Sequence, residues 1–322
     1  MKGDYTSAAT MPVKLFHNPV IQKGKIVPYH VTMIPTNICN AKCEECFCDN
    51  RDQSQQLDYK EITDITDELY SLGTRAISLS GGGEPDCHPF INEIIDYISK
   101  KGIDVAMVSN GQKLSRVEDK YLNKLKWVRV SGTSSRPVDL EQLSKDMKRG
   151  KDTDWGMSYV LGQENLEYQN IRDAIKYTDE SALTHLRIVS DMMNPDVNRI
   201  PRAKNNSFSY DNGVFVGTTS KKIIWQERTN NEPGTKNCLV NLLHPIVDAY
   251  GNIQPCCGIH FSTTPPKYDF GKETSICNWK DFRKKVENQE PFDGTVCDIC
   301  QYMDYNRALE MILNKPEHEK FV

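Results

Sequence analysis

The stretch "CNAKCEEC", residues 39–46, sets Cys39, Cys43 and Cys46 in a C-x3-C-x2-C spacing, three soft ligands in one short loop. Thiolates select iron–sulfur clusters, zinc or copper(I) over harder metals. A four-iron cubane held by three thiolates keeps its fourth iron open to a substrate or cofactor. The same logic separates open catalytic zinc sites from closed structural ones. The competing reading of the spacing is a zinc site completed by Cys48 or His30. A second stretch, "SLSGGGEP" at 78–85, ends an apolar run with three glycines. These let a ligand approach bare backbone, and Glu84-Pro85 adds a polar anchor ahead of the next helix.

Eleven cysteines sharpen this picture. Cys39, Cys43, Cys46, Cys48 and Cys87 lie in the first third, Cys238, Cys256, Cys257, Cys277, Cys297 and Cys300 in the last, and residues 88–237 hold none. The amino terminus "MKGDYTSAATMPVKLFHN" has no signal-peptide core, so these thiols point to metal or redox sites and away from disulfides. Two separate sites are implied. With no window of about 18 apolar residues, a cytoplasmic protein without membrane contact is expected. The 322 residues are 38% hydrophobic and 26% charged, the make-up of one large globular domain or one plus an appendage. A net charge of −4 with scattered lysines and arginines disfavours nucleic acid as a partner.

The elements that must position these thiols alternate in type. Strands are predicted at 30–34, 75–80, 104–109, 127–132, 155–162 and 185–191, each a short apolar or β-branched run. Between them fall helices over 59–72 with a stop at Gly73, 89–101 with Pro89 near its first turn and Gly102 after its end, then 116–126, 139–148 and 167–180. Six right-handed βα repeats, with both motifs just after strands, predict an α/β partial (β/α)6 barrel whose strand-end loops form the site. Residues 201–236 break the rhythm, with "GVFVGTT" and "KKIIW" as a candidate hairpin. "HPIVDAYGNIQPCC" predicts two short strands around Gly251-Asn252, and a last helix follows Cys300. The expected division is an extension over 1–27, the barrel over 28–200, an insertion or linker over 201–236 and a small cysteine-dependent appendage over 237–322.

On the first two strands of a β/α chain, the three-cysteine loop and the GGE stretch resemble the radical S-adenosylmethionine (SAM) superfamily, over roughly residues 28–195. The resemblance implies a [4Fe-4S] cluster on Cys39, Cys43 and Cys46, whose open iron is chelated by the amino and carboxylate groups of SAM. Electron transfer from the cluster then cleaves SAM to a 5′-deoxyadenosyl radical that abstracts hydrogen from substrate. Gly82, Gly83 and Glu84 carry over as the methionine-binding stretch, where a β-carbon on Gly83 would intrude between backbone and methionyl group. Many members have an aromatic before the third cysteine; here it is Glu45, and Phe47 is the substitute for the adenine contact. Ser131 on strand four, and Asn165 and Arg187 around strands five and six, stand where polar SAM contacts occur. For Asn165 and Arg187 a loop cap and a solvated or salt-bridged arginine compete with that role.

The distal cysteines run Cys238-x12-Gly251-x4-Cys256, forty residues to Cys297, then two to Cys300. This resembles the twitch domain, a shortened SPASM domain holding one auxiliary [4Fe-4S] cluster, and implies that Cys238, Cys256, Cys297 and Cys300 are its four ligands; a zinc knuckle is the alternative. Two [4Fe-4S] clusters and SAM are thus the expected cofactors, with a flavodoxin- or ferredoxin-type electron donor and a small-molecule substrate as partners. Cys48, Cys87, Cys257 and Cys277 are surplus, and spare thiols are mostly buried filler. Cys257, beside a cluster ligand, and Cys87, in the SAM loop, are candidate hydrogen donors to a substrate radical.

A fully ligated auxiliary cluster acts as an outer-sphere electron acceptor or relay. That favours dehydrogenation of a C–H in a small polar molecule (amino sugar, nucleoside or nucleotide), as in twitch-bearing aminocyclitol dehydrogenases. The first rival is redox-neutral epimerisation with a thiol as hydrogen donor. Ribosomal-peptide modification ranks lower, since 38 residues before Cys39 leave little room for a leader-binding domain. A non-catalytic Fe–S or zinc scaffold leaves the missing fourth ligand unexplained.

Overall fold

The computed structural model describes residues 24–162, 167–191, 200–201, 209–211, 214–216, 221–226, 232–259 and 274–314, with the single positions 14, 15, 17 and 204. Its framework is a β/α series. β1 (His30–Met33), α1 (Tyr59–Leu72), β2 (Ala76–Leu79), α2 (Ile91–Lys100) and β3 (Asp104–Ser109) come first. There follow α3 (Asp119–Leu122), β4 (Leu125–Thr133), α4 (Leu140–Arg149), β5 (Asp154–Leu161), α5 (Glu167–Glu180) and β6 (Leu186–Ser190). The later elements are β7 (Ser209–Asp211), β8 (Val214–Val216), β9 (Ile223–Gln226), α6 (Val240–Leu243), β10 (Ile246–Val247), β11 (Asn252–Gln254), β12 (Cys277–Asn278), α7 (Phe282–Glu287) and α8 (Met303–Leu313).

Local chemistry sets several boundaries. α1 starts because the Asp58 carboxylate accepts the Glu61 N–H, and stops at Gly73, whose φ of 114° admits no β-carbon cheaply. Its Ile62, Ile65, Leu69 and Leu72 recur at helical spacing and are buried. α4 begins at Asp139, which accepts the Gln142 N–H.

Among the described residues one ten-stranded sheet has the order β12-β11-β10-β1-β2-β3-β4-β5-β6-β9. β1 to β6 pair in parallel in sequence order. A parallel sheet covered by helices on both faces reads as continuous apolar runs, but these strands alternate. Val31, Met33, Ile77, Leu79, Val105, Met107, Val128, Val130, Met157, Tyr159, Leu186 and Ile188 are at most 1% exposed. The intervening register positions carry His30, Thr32, Ser78, Arg129, Ser131, Ser158 and Arg187. One face is therefore dry, and the other is a polar face turned inward, as a partial barrel requires.

Three expectations are corrected. The helix expected over 116–126 is only the turn α3, because Leu125 already enters β4 and pairs with Val105. Pro89 lies two residues before the first helical residue of α2, with Phe90 as its cap. "GVFVGTT" and "KKIIW" do not form a hairpin: β8 pairs antiparallel with β7, while β9 pairs parallel with β6 and extends the main sheet. β10 likewise joins the sheet, parallel to β1, and carries β11 and β12 with it. No described helix is long and apolar enough to cross a membrane.

Candidate functional site

The loops after β1 and β2 are bound to each other. Gly83 N–H donates to Thr36 O at 3.0 Å and Glu84 N–H to Ile38 O at 2.8 Å, next to Cys39. A β-carbon on Gly83 would lie 2.1 Å from Ile38 O and 2.4 Å from the Asn37 carbonyl carbon; one on Gly82 would lie 2.1 Å from Asn37 Oδ1. The glycines are thus required by the neighbouring loop itself, a reason that stands beside the expected one, an approaching methionyl group.

Each of the three thiols meets a donor. Ala41 N–H points at Cys39 Sγ (3.5 Å), Arg136 Nε at Cys43 Sγ (3.2 Å) and Arg51 Nη1 at Cys46 Sγ (3.4 Å). Burial pushes the Cys39 thiol up, with the Ala41 N–H and Arg51 pulling the other way. Glu45, where the family resemblance leads one to expect an aromatic, is 7% exposed. Its carboxylate accepts the Ser135 N–H (3.0 Å) and hydroxyl (2.5 Å). Burial raises its carboxyl, but bonds from Ser135 and Thr133 outweigh this and hold it below the usual range. A β-carbon on Gly162 would strike Glu45 Oε1 at 2.4 Å. Glu45 therefore ties the thiol loop to the ends of β4 and β5.

Glu84 is 3% exposed and accepts the Asn110 N–H on Oε2 at 2.7 Å. Its Oε1 is buried and without a hydrogen-bond partner, as is Asn37 Nδ2. Burial, then the neighbouring Asp86, push the Glu84 carboxyl up to about 8. An orphaned buried carboxylate oxygen beside a thiol loop fits an ammonium group such as that of SAM, which would supply the missing donor and restore the charge.

The second set converges as well. Cys238, Cys256, Cys297 and Cys300 line one cavity, together with Tyr302 and Asn306. Asn306, 1% exposed, directs Nδ2 at Cys238 Sγ (3.5 Å) and accepts the Leu239 N–H (2.7 Å). Burial pushes the Cys256 thiol well up and raises Cys300, so both give up their protons only to a cation that binds them. Among the described residues no three His, Cys, Asp or Glu side chains converge on a single ion. Four thiols around a cavity suit a polynuclear cluster.

Between the two sets lies an apolar patch of Ile34, Cys48, Ile246 and Ala249, against which Cys46, Phe47 and Cys257 pack. Cys48, 1% exposed, is filler within it. Cys257 Sγ and the Tyr302 hydroxyl lie 2.5 Å apart, and the Tyr302 ring meets Tyr305 edge-on at 5.1 Å. Cys87 sits on the turn Pro85–Cys87 beside Glu84, its thiol raised by burial and then by Asp86 and Glu84. His30 bonds Ser78 and stacks on His244 at the start of β1, whereas the thiols follow the end of that strand. It therefore completes no site with them. Ser131 and Arg187 each pair with Ser158, half-buried on the polar face. Asn165 lies outside the described residues. Cys277 is on the edge strand β12.

Sequence reasoning missed Arg51, Arg136 and Tyr302, while Asn110 lies in the stretch "VSNG" (108–111), which resembles the strand-three ending of the radical SAM family. Arg51 had a signal, lying five residues after Cys46; Arg136 had none, since 93 residues separate it from Cys43.

A family model described as Radical SAM superfamily matches residues 33–155. Among curated relatives, the antilisterial bacteriocin subtilosin biosynthesis protein AlbA of Bacillus subtilis is 29% identical over 116 residues, 36% of this chain. That match is 26% of AlbA, so the chain spans about a quarter of that relative's length. A probable GTP 3′,8-cyclase of Sulfurisphaera tokodaii is 23% identical over 244 residues, 69% of this chain and 74% of that protein. Among solved structures, SuiB of Streptococcus suis bound to precursor peptide SuiA superposes with a TM-score of 0.63, covering 96% of this chain and 77% of SuiB at 14% identity. That likeness concerns the fold, an α/β barrel-like sheet followed by a cysteine-rich region.

Proposed function

We propose that this protein is a radical SAM oxidoreductase that dehydrogenates a small polar substrate, with Cys39, Cys43 and Cys46 holding the SAM-binding cluster and Cys238, Cys256, Cys297 and Cys300 an auxiliary one. Bound there, SAM and the first cluster would supply the 5′-deoxyadenosyl radical that takes a hydrogen atom from a substrate C–H, and the second would take up the electron left behind. The observation that carries this reading is the second cavity, whose lining includes four thiols, enough to give every iron of a cubane a protein ligand. Glu84 Oε1 would accept from the SAM ammonium, and Ser131 and Arg187 present polar groups on the inward face. The likeness to a probable GTP 3′,8-cyclase extends over most of the chain and supports a nucleoside or nucleotide ahead of an amino sugar. Resemblances to AlbA and to peptide-bound SuiB keep a peptide substrate as the alternative.

Epimerisation is the second reading, favoured by one contact. Cys257 packs on the same apolar patch as Cys46 and lies against the Tyr302 hydroxyl, which under this reading makes it the hydrogen donor. Incubating the anaerobically reconstituted protein with SAM, reductant and candidate nucleotides in deuterated water separates the readings. A product lighter by two hydrogens marks dehydrogenation, and solvent deuterium retained at carbon marks epimerisation. Candidates that all return unchanged while SAM is cleaved would remove the nucleotide assignment.

A further inference from the structure

Two arginines far apart in sequence bracket the three-thiol loop. Arg51, 8% exposed, donates from Nε to Asn37 O (2.8 Å), and from Nη1 to Cys48 O (2.6 Å) and Cys46 Sγ (3.4 Å). Arg136 donates from Nε to Cys43 Sγ (3.2 Å), from Nη1 to Asn110 O (3.0 Å) and from Nη2 to Ser131 O (2.6 Å). Among the described residues neither makes an ion pair with a carboxylate. Each cation is instead fixed by backbone carbonyls and directs a further N–H at a sulfur. The planar fork of guanidinium allows this division, which a single ammonium point charge does not. Among the described residues Cys39 receives only a backbone N–H.

From this geometry we infer that Arg51 and Arg136 are positioning residues that set the reduction potential of the cluster at Cys39, Cys43 and Cys46. The inference rests on that loop's being the cluster site. One-electron reduction, by a flavodoxin- or ferredoxin-class donor, adds one negative charge to the cluster and its thiolates. A fixed cation in contact with a thiolate stabilises the more negative state, and hydrogen bonds to sulfur are among the terms that set such potentials. The pair therefore raises the potential toward what a biological one-electron donor can reach. It touches the Cys43 and Cys46 corners directly and reaches the Cys39 corner only through the charge of Arg51.

The test is a redox titration of the reconstituted full chain, following the paramagnetic signal that SAM addition perturbs, in Arg51→Gln, Arg136→Gln, Arg51→Lys and Arg136→Lys. Both Gln variants are expected to keep their iron and to shift the midpoint to more negative values, with the Lys variants nearer the parent because they retain the charge. Gln variants at the parent's midpoint, or Lys variants shifted as far as Gln, would overturn the inference and leave the cluster assignment standing. A Gln variant stripped of its iron also counts against it, since a group that only tunes a potential is not needed to hold the irons. If replacing Cys43 and Cys46 by Ala leaves the iron content unchanged, it is the cluster assignment that fails, and this inference with it.

Discussion

Around Cys39, Cys43 and Cys46 the backbone bonds to the Gly83–Glu84 stretch are joined by side chains reaching in: Arg51, Arg136, Ser135 through Glu45, and Asn110 through Asn40. Around Cys238, Cys256, Cys297 and Cys300 the chain is held largely by its own backbone. Cys238 and Phe292 exchange both of their N–H···O bonds, Gly234 N–H reaches Cys297 O at 2.8 Å, Gly294 N–H reaches Thr235 O, and Cys300 N–H reaches Glu232 O. A β-carbon on Gly234 would sit 2.0 Å from Gly294 O, so these strands of loop touch directly. A site that only stores or passes an electron gains from such closure. A site that must admit and release a cofactor is better built from side chains that can shift, and the orphaned Glu84 and Asn37 atoms mark where one would enter.

The largest expected effect breaks the two sites apart. Two cubanes give about eight irons per chain after anaerobic reconstitution. Replacing Cys39, Cys43 and Cys46 by Ala should remove about half and abolish SAM cleavage. Replacing Cys297 and Cys300 should remove the other half, leave SAM cleavage intact and stop formation of the oxidised product. Iron and sulfide assays with quantitation of 5′-deoxyadenosine check both, and a colourless, zinc-loaded protein would defeat the whole reading.

Next comes Gly83→Val, which sharpens the contrast by attacking the open site alone. The added atoms collide with the Asn37–Ile38 backbone, an overpacking cost of about 1–3 kcal/mol. Because that backbone leads into Cys39, the variant should lose SAM cleavage together with much of the first cluster's iron while keeping the second. Parent levels of 5′-deoxyadenosine from this protein would show that the collision is relieved and the loop is placed otherwise.

A smaller effect falls on the thiol between the sites. If the reaction is a dehydrogenation, Cys257→Ala and Tyr302→Phe should cost turnover no more than a packing change does, about 1 kcal/mol. Under epimerisation the Cys257→Ala enzyme would still make 5′-deoxyadenosine yet fail to invert the centre, as chiral analysis of recovered substrate would reveal.

The two regions also differed in legibility. The six barrel strands and the 167–180 helix could be read because alternation and helical spacing are local, and the one helix that failed, 116–126, failed because β4 claimed its last residues through pairing with β3. The three-thiol spacing is likewise local. What could not be read is what distant segments do to it: Arg136 and Ser135 meet the loop only because β4 ends beside β1's loop in space. In the C-terminal region the turn at Gly251 was visible, but the parallel pairing of β10 with β1, and of β9 with β6, is a fact of the whole sheet. No short window carries it.

The smallest prediction concerns the seam where that C-terminal region joins the barrel. His30 on β1 and His244 just before β10 stack with ring centroids 3.9 Å apart; His30 bonds Ser78 Oγ at 2.7 Å and Thr32 Oγ1 meets His244 Nε2 at 3.1 Å. Burial lowers the His244 imidazole to about 4. It lowers His30 well below its usual value too, with His244 and Lys14 adding repulsion. Both rings are therefore neutral in the folded chain at pH values where the unfolded chain begins to protonate them, near 6.5. Since the unfolded state then binds more protons, stability is fully present above about 6.5 and falls as pH drops toward 4, by up to about 1.4 kcal/mol per pH unit for each proton. Denaturant midpoints of the parent and of His244→Asn, compared from pH 7 to pH 4, should converge as the pH falls, because the variant has one fewer ring to protonate. A gap that stays constant across that range would mean that the stack does not hold the seam through its neutral form.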